Sequence, residues 1–228
     1  MQPYRTEGII LHALPFQDYD LILTLFTAEE GVIKLIVKRA LSSSKSKATL
    51  TAPLTHVECL YTRGRSDLFK CQELSLINAH LRIREKLSTL EAACELIQAV
   101  LTSQPTHAPA PELYLLFKSY LEKLPSGVDP RAFTSSFYLK TLRHEGLMEV
   151  EPSCSVCASA LTVHSLALGE NFCPLHRPSQ YLTFSEEEMA FFLQLAHCRS
   201  FSQLTTVSLP EALYEKVRHF FRERLEAL

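Results

Sequence analysis

The sequence predicts an α+β chain in several parts, a small five-stranded β-barrel followed by a helical region, on three observations. Short β-prone runs separated by turn residues fill the chain up to residue 78. Beyond residue 80 the apolar residues recur at spacings of three and four. A group of cysteines and one histidine at regular spacing interrupts that helical part. The 228 residues, 46% apolar and 21% charged, suffice for two domains with buried cores.

The strands come first. Residues 7–14 (EGIILHAL) and 21–27 (LILTLFT) are short apolar runs, and the second enters the turn Ala28-Glu29-Glu30-Gly31, whose glycine accepts a positive φ. Residues 32–38 alternate, with Ile33, Leu35 and Val37 on one face and Lys34, Ile36 and Lys38 on the other. That is a half-buried strand with cations on its open side. The polar run 42–47 (SSSKSK) reads as a mobile loop. Residues 55–62 alternate again, with Val57, Cys59 and Tyr61 inward, and Arg63-Gly64-Arg65 leads to a last run at 68–76. Five such short strands close most naturally into a barrel, which removes the exposed edges.

The helices follow. Leu87, Leu90, Cys94, Ile97 and Leu101 form one apolar stripe, and Leu113, Phe117, Tyr120 and Leu124 a second; the three-proline segment 102–111 between them is a loop. Asp129 before Pro130 is an N-cap with proline at the first position, opening a helix that Gly146 can close. Ser185-x-x-Glu188 and Ser208-x-x-Glu211 are capping boxes for two more helices, the last carrying Leu213, Val217, Phe220, Phe221 and Leu225. No internal repeat or low-complexity tail is evident.

Seven cysteines stand at 59, 71, 94, 154, 157, 173 and 198. Cys59, Cys71, Cys94 and Cys198 are scattered in apolar or periodic segments and read as small buried hydrophobes in a reducing compartment. The other three are clustered. Cys154-x-x-Cys157 is followed, fifteen residues on, by Cys173-x-x-His176. A C-x2-C…C-x2-H pattern puts three thiolates and one imidazole around a single ion, the donor set of a structural zinc site with no open position. The segment 158–172 is too short for its own apolar core, so one Zn2+ would supply its folding energy. His164, inside the loop, is the competing ligand.

Charge is segregated. Residues 34–70 carry eight basic and two acidic side chains, a local balance of +6, and the remaining 15 basic and 23 acidic residues leave −8 elsewhere. Other chemistries are missing: no phosphate-cradling GxxxxGK[ST], no GxGxxG, no HExxH, and only six glycines. Asp18 and Asp20 form no metal-binding carboxylate set with identifiable partners, and Cys71 has no histidine-bearing motif, so no enzyme is expected. With no long apolar span and no leader-like N-terminus, a cytoplasmic protein is expected.

A small barrel with a lysine-rich face suggests single-stranded nucleic acid, phosphates tracked by cations and bases stacked on aromatics. Lys34, Lys38, Arg39, Lys45, Lys47, Arg63 and Arg65 supply the charge. Tyr61, Phe69 and Tyr4 are the candidate stacking rings. From the residues alone the reading stops at a nucleic-acid-binding OB-type module. RNA binding, a barrel that contacts only protein, and a metal-dependent nuclease stay open as alternatives.

Thr6-Glu-Gly-Ile-Ile-Leu11, Thr24-Leu-Phe-Thr-Ala-Glu-Glu-Gly31, Lys38-Arg39, the Ser-Lys-Ser-Lys loop, Tyr61-Thr-Arg-Gly-Arg65 and Asp67-Leu-Phe-Lys-Cys-Gln-Glu73 together resemble the N-terminal domain of the RecO family of bacterial recombination mediators. The likeness resumes in Phe137-Tyr-Leu-Lys-Thr-Leu-Arg-His-Glu-Gly146 and in the knuckle. Two departures stand out: Arg39 replaces a usual glycine, and His176 a frequent cysteine. The resemblance implies binding of single- and double-stranded DNA and annealing of complementary strands. It also implies joint action with RecR in helping RecA load on DNA coated by single-stranded-DNA-binding protein, in the RecF pathway of repair, with a nucleoid-associated location. It further implies that the helical domain holds the acidic, apolar C-terminal tail of the coating protein; Arg131, Lys140 and Arg143, on one helix, are the candidates. The expected parts are an OB-type barrel over 1–78, a helical domain over 79–150 and 178–228, and a zinc knuckle at 151–177.

Overall fold

A computed structural model describes residues 2–41 and 45–226, apart from the side chains of 45–47. Strands β1 (Pro3–Phe16), β2 (Asp20–Thr27), β3 (Gly31–Val37), β4 (His56–Thr62) and β5 (Leu68–Asn78) close a barrel in the order β1-β2-β3-β5-β4, with β4 returning to β1. Every pair is antiparallel except β3 with β5, whose register runs from Lys34↔Leu68 to Ile36↔Lys70. A short helix, α1 (Lys45–Leu50), connects β3 to β4. This is the expected OB-type barrel.

Alternation dictates the core. Ile10, Leu23, Leu25, Ile33, Leu35, Val57, Cys59 and Tyr61 project inward and are essentially inaccessible. The expected loop is in part a helix: residues 45–50 contain neither glycine nor proline, and Leu50 packs against the barrel core. Residues 42–44 lie outside the described residues.

The chain divides into two compact units, 1–125 and 126–228. The first contains α2 (Leu87–Ser103) and α3 (Pro111–Lys123) as well as the barrel. Phe26, on the outer side of β2, meets Tyr114 at 5.7 Å and Phe117 at 6.0 Å between ring centroids. That contact covers one part of the barrel wall with α3. The proline-rich loop docks beside it, with the His107 amide donating to the Val32 carbonyl at 3.0 Å. Gly31 (φ +64°) allows this approach, because a Cβ there would lie 1.9 Å from the Ala108 oxygen.

The α3 stripe is buried as the sequence predicts, but the α2 stripe only in part, with Ile97 buried and Leu90 and Leu101 half-buried. Leu87 is 71% exposed and Cys94 lies on the surface, whereas Thr89, Ala93, Leu96, Val100 and Ser103 are buried. The buried face joins Ala92, Ala93 and Ala99 to Leu96, Ile97 and Val100, so it is rotated from the predicted stripe and shares Ile97 with it. Cys94 is therefore not a core thiol, and Cys71 is only half-buried.

The second unit contains α4 (Pro130–His144), α5 (Glu186–His197), α6 (Glu211–Glu226) and a three-stranded sheet, β7 (Glu170–Phe172), β6 (Val163–Ala167), β8 (Leu182–Ser185). Helix α4 packs against both α5 and α6 and is buried along nearly its whole length. Asp129 caps it: one carboxylate oxygen accepts from the Arg131 amide at 2.9 Å, and the other holds the Leu209 amide at 2.8 Å, ahead of α6. At its other end Gly146 (φ +69°) forms a Schellman closure, with Gly146 donating to Arg143 and Leu147 to Leu142. The Ser185–Glu188 capping box at α5 is formed in both directions. The aromatic series Phe184–Phe192–Phe220 fills the core in edge-to-face contacts of 5.5 and 5.6 Å.

Candidate nucleic-acid interface and metal centre

Barrel register brings residues distant in sequence onto one outer surface. Inward positions on β2 are Leu21, Leu23 and Leu25, so Asp20, Ile22 and Thr24 face out, and their partners face out with them. One row across β1, β2, β3 and β5 reads Leu14, Ile22, Ile36, Lys70; the next reads His12, Thr24, Lys34, Leu68. Lys34 and Lys70 are exposed on this wall. Lys70 had been counted in the basic segment without being singled out, because only closure of β5 onto β3 puts it beside Lys34.

Two tight turns bound the wall. Asp20 ties them together: its carboxylate accepts from Lys38 Nζ at 2.6 Å and from the Arg39 amide at 2.9 Å, and the Leu41 amide donates to the Tyr19 carbonyl at 2.9 Å. The hydrogen bonds from Lys38 and then Arg39 hold the Asp20 carboxyl below its ordinary pKa. Asp20 is thus a structural carboxylate and makes no pair with Asp18. Arg39 sits in left-handed backbone at φ +52°, where a glycine would be unstrained. That accounts for the glycine the resemblance led one to expect.

The other predicted cations are placed differently. Arg63 pairs with Glu30 at 2.6 Å and lies over the Tyr4 ring at 4.4 Å, so its charge is held against the barrel end. Arg65 is exposed in the β4–β5 connection. Lys45 and Lys47 belong to α1, and their side chains lie outside the described residues. Two of the expected stacking rings are core instead: Tyr61 is inaccessible and Phe69 nearly so, stacked on each other at 5.5 Å, with the Tyr61 hydroxyl bound to Glu30. An inward position on a closed strand cannot offer a ring face to a ligand. The exposed rings are Tyr4, Phe16 and Tyr19, the last two at the β1–β2 turn. Burial pushes the Cys59 thiol up to about 12 and Cys71 to about 11, which leaves both unreactive.

In the second unit Cys154, Cys157, Cys173 and His176 converge, their donor atoms all within 4.8 Å of one another. Cys154 Sγ is 3.8 Å and Cys173 Sγ 3.2 Å from His176 Nδ1, and Cys157 Sγ is 4.0 Å from Cys173 Sγ. A tetrahedron with metal–sulfur bonds of about 2.3 Å has edges of about 3.8 Å, so these four residues fit one ion. Burial alone would raise the Cys154 thiol, but amides of Cys157, Cys173 and Val156 and the His176 ring outweigh it and bring it down to about 5. A hydrogen bond from Ser159 lowers Cys157, while contact with Cys154 and Cys157 raises His176. The group is primed to exchange protons for a cation.

The support of this site was not foreseen. Segment 163–172 is a hairpin, turned at Leu168 (φ +53°) and Gly169 (φ +84°), and β8 extends it towards α5. Gly169 is required because a Cβ would lie 2.2 Å from the Leu147 oxygen. Buried Asn171 donates to the Glu151 carbonyl at 2.8 Å and contacts His164 Nδ1 at 2.8 Å, while Ser155 and Asn171 exchange bonds behind the Cys154 loop. His164 is thereby engaged by Asn171 and stands apart from the four donors. The alternation of Val163, Ser165 and Ala167 before Leu-Gly was the available signal.

A family model described as recombination protein O, N-terminal, matches residues 1–80, and one described as recombination protein O, C-terminal, matches residues 54–227. The chain belongs to the RecO family. Similar relatives include proteins named DNA repair protein RecO. One from Chlamydia pneumoniae is 28% identical, covering 94% of this chain and 85% of its own length. One from Exiguobacterium sibiricum is 26% identical, covering 98% and 92%. Another from Geobacter metallireducens is 29% identical over 68% and 65%.

The tail-binding candidates that the RecO resemblance implied are separated along α4. Arg131 pairs with Glu211 at 2.6 Å, and Lys140 is half-buried. Arg143 donates to the Ala196 carbonyl at 3.1 Å and lines a cavity of about 370 Å3 with Met148, Val150 and Phe192, but also with Glu149 and Glu151. Of the three, Arg143 is the one set beside apolar side chains. No helix among the described residues is long and apolar enough to cross a membrane.

Proposed function

We propose that this RecO-family chain is a DNA-binding recombination mediator in DNA repair, acting by binding and not by catalytic turnover. The observation that carries the reading is the cationic outer wall of β2, β3 and β5 in a chain matched by both family models. Phosphates tracked by exposed Lys34 and Lys70 lose mutual repulsion, so two complementary strands held there gain local concentration and can anneal. Joint action with RecR, and help to RecA on DNA coated by single-stranded-DNA-binding protein, belong to the same reading. Arg143, beside Met148, Val150 and Phe192, is the candidate cation for the acidic, apolar tail of that coating protein, which would have to bind clear of Glu149 and Glu151 on the same lining. The ion in the knuckle is Zn2+, which three thiolates and an imidazole favour, and it is structural because four protein ligands leave no position open. On this reading the protein would act where bacterial DNA is, in the cytoplasm at the nucleoid.

Anisotropy of a labelled oligonucleotide across a salt series tests the DNA reading. If about six phosphates are neutralised, log affinity falls with log salt at a slope of about −4. Lys34→Glu with Lys70→Glu should weaken binding at least about tenfold and flatten the slope by about 1.4, from roughly 0.7 per phosphate. An unchanged slope would move the DNA off this wall, and tighter binding to RNA of the same sequence would favour an RNA-binding module.

A further inference from the structure

The outer wall carries more than cations. Leu14 is 51% exposed, Phe16 36%, Tyr19 59% and Leu41 47%, and all four stand at one end of the barrel. Half-buried Ile22 and Ile36 continue the apolar row from Leu14 towards Lys70. The outer face of a small barrel open to water is expected to be polar, so an apolar strip edged by exposed Lys34 and Lys70 calls for an occupant of mixed character. A single strand of nucleic acid has it: anionic phosphates along one side and flat apolar bases along the other. A duplex does not, because its bases are stacked and paired inside.

We propose that Phe16 and Tyr19, with Leu14 and Leu41 beside them, form a platform on which unpaired bases stack, so that this wall prefers single strands to duplex. The inference rests on the DNA reading above and specifies which part of the nucleic acid is recognised. The platform is preorganised. Asp20 clamps the turn after β3 through Lys38 and Arg39, and the Leu41 amide holds the Tyr19 carbonyl, so both rings project from braced turns. Little ordering entropy is then lost when a base arrives.

The test compares three ligands with equal numbers of phosphates: oligo-dT, an abasic oligonucleotide, and duplex DNA. With the natural chain, oligo-dT should bind at least about tenfold tighter than the abasic strand, since each stacked base contributes a factor of about 5 or more. Phe16→Ala with Tyr19→Ala should erase that gap and leave abasic binding unchanged. Because the chain has no Trp, Tyr19→Trp supplies a sole indole whose emission oligo-dT should quench and the abasic strand should not. This second variant keeps the test open should the double alanine chain fail to fold. Equal affinity for oligo-dT and the abasic strand would overturn the platform while leaving DNA binding intact. Failure of all three ligands at low salt would instead overturn the DNA reading, and the platform with it.

Discussion

The barrel and the knuckle are both small β structures, and they are stabilised by different means. The barrel strands turn Ile10, Leu23, Leu25, Ile33, Leu35 and Val57 into one closed apolar interior. In the knuckle and its hairpin the buried groups include His164, Ser165, Asn171 and the thiols of Cys154 and Cys173. Burying polar groups costs free energy unless each finds a partner. The Asn171 side-chain amide and the Ser155 bonds provide part of that for the hairpin, with Asn171 Oδ1 left without a partner, and a bound cation would do so for the thiolates. A sheet that closes on itself buries enough apolar surface to stand without a cofactor, whereas the knuckle brings together four residues that could hold one.

Removal of the metal should have the largest effect. Structural zinc sites contribute on the order of 10 kcal/mol of folding free energy. Chelation, or Cys154→Ser with Cys157→Ser, should therefore release one zinc per chain and abolish hydrogen-exchange protection over 150–176. Protection of the first unit, 1–125, should stay as it was. Persistent protection of 163–172 after chelation would mean that the Asn171 network holds the hairpin unaided, and the contrast with the barrel would disappear.

Truncation of the barrel core comes next. Leu25→Ala, at a side chain with no exposure, should cost about 2–5 kcal/mol in a denaturant melt and leave zinc content unchanged. A loss of zinc in that variant would show that the two regions are not independently stabilised.

Acid should have the smallest effect, and it bears on the one polar weakness of the barrel unit. His56 is buried at the start of β4, 3.2 Å from the Tyr114 hydroxyl and 3.4 Å from Glu7, and His80 is buried after β5. Burial is the main cause that lowers both below their ordinary value, with Lys118 adding to it and Glu7 and Glu122 opposing at His56. A depressed folded-state pKa means that the unfolded chain takes up protons the folded chain refuses. Stability is therefore complete above about pH 6.5 and is lost as pH falls through the folded value. Denaturant midpoints between about pH 7.5 and about pH 5 should decline, and His80→Gln should flatten part of that decline. A midpoint independent of pH would mean that water reaches both rings.

How much was legible differs between the same two regions. Short apolar runs bounded by turn residues, with period-two alternation at 32–38 and 55–62, revealed the five barrel strands, because inward and outward positions on a strand obey local geometry. The spacing of Cys154, Cys157, Cys173 and His176 revealed the metal centre, because ligation chemistry restricts which residues serve and how far apart they stand. The hairpin behind it was overlooked, since its strands are short and polar His164, Ser165 and Asn171 are buried among apolar Leu166, Ala167 and Phe172. The α2 stripe was legible only in part: Ile97 faces inward with Ala93, Leu96 and Val100, while Leu87 and Cys94 lie on the surface.

By itself the sequence determined the closed barrel, the helical region after it, the four donors of the knuckle and the cationic segment, each of which depends on neighbours a few residues apart. Only the tertiary structure decided which cations and rings share a surface. Leu14, Ile22, Ile36 and Lys70 become neighbours only when four strands pair in a particular register. Tyr61 and Phe69 are lost to the core, and Phe16 and Tyr19 are gained at the surface, by the same closure. Register is set by the pairing of whole strands, and no local pattern of residues records it.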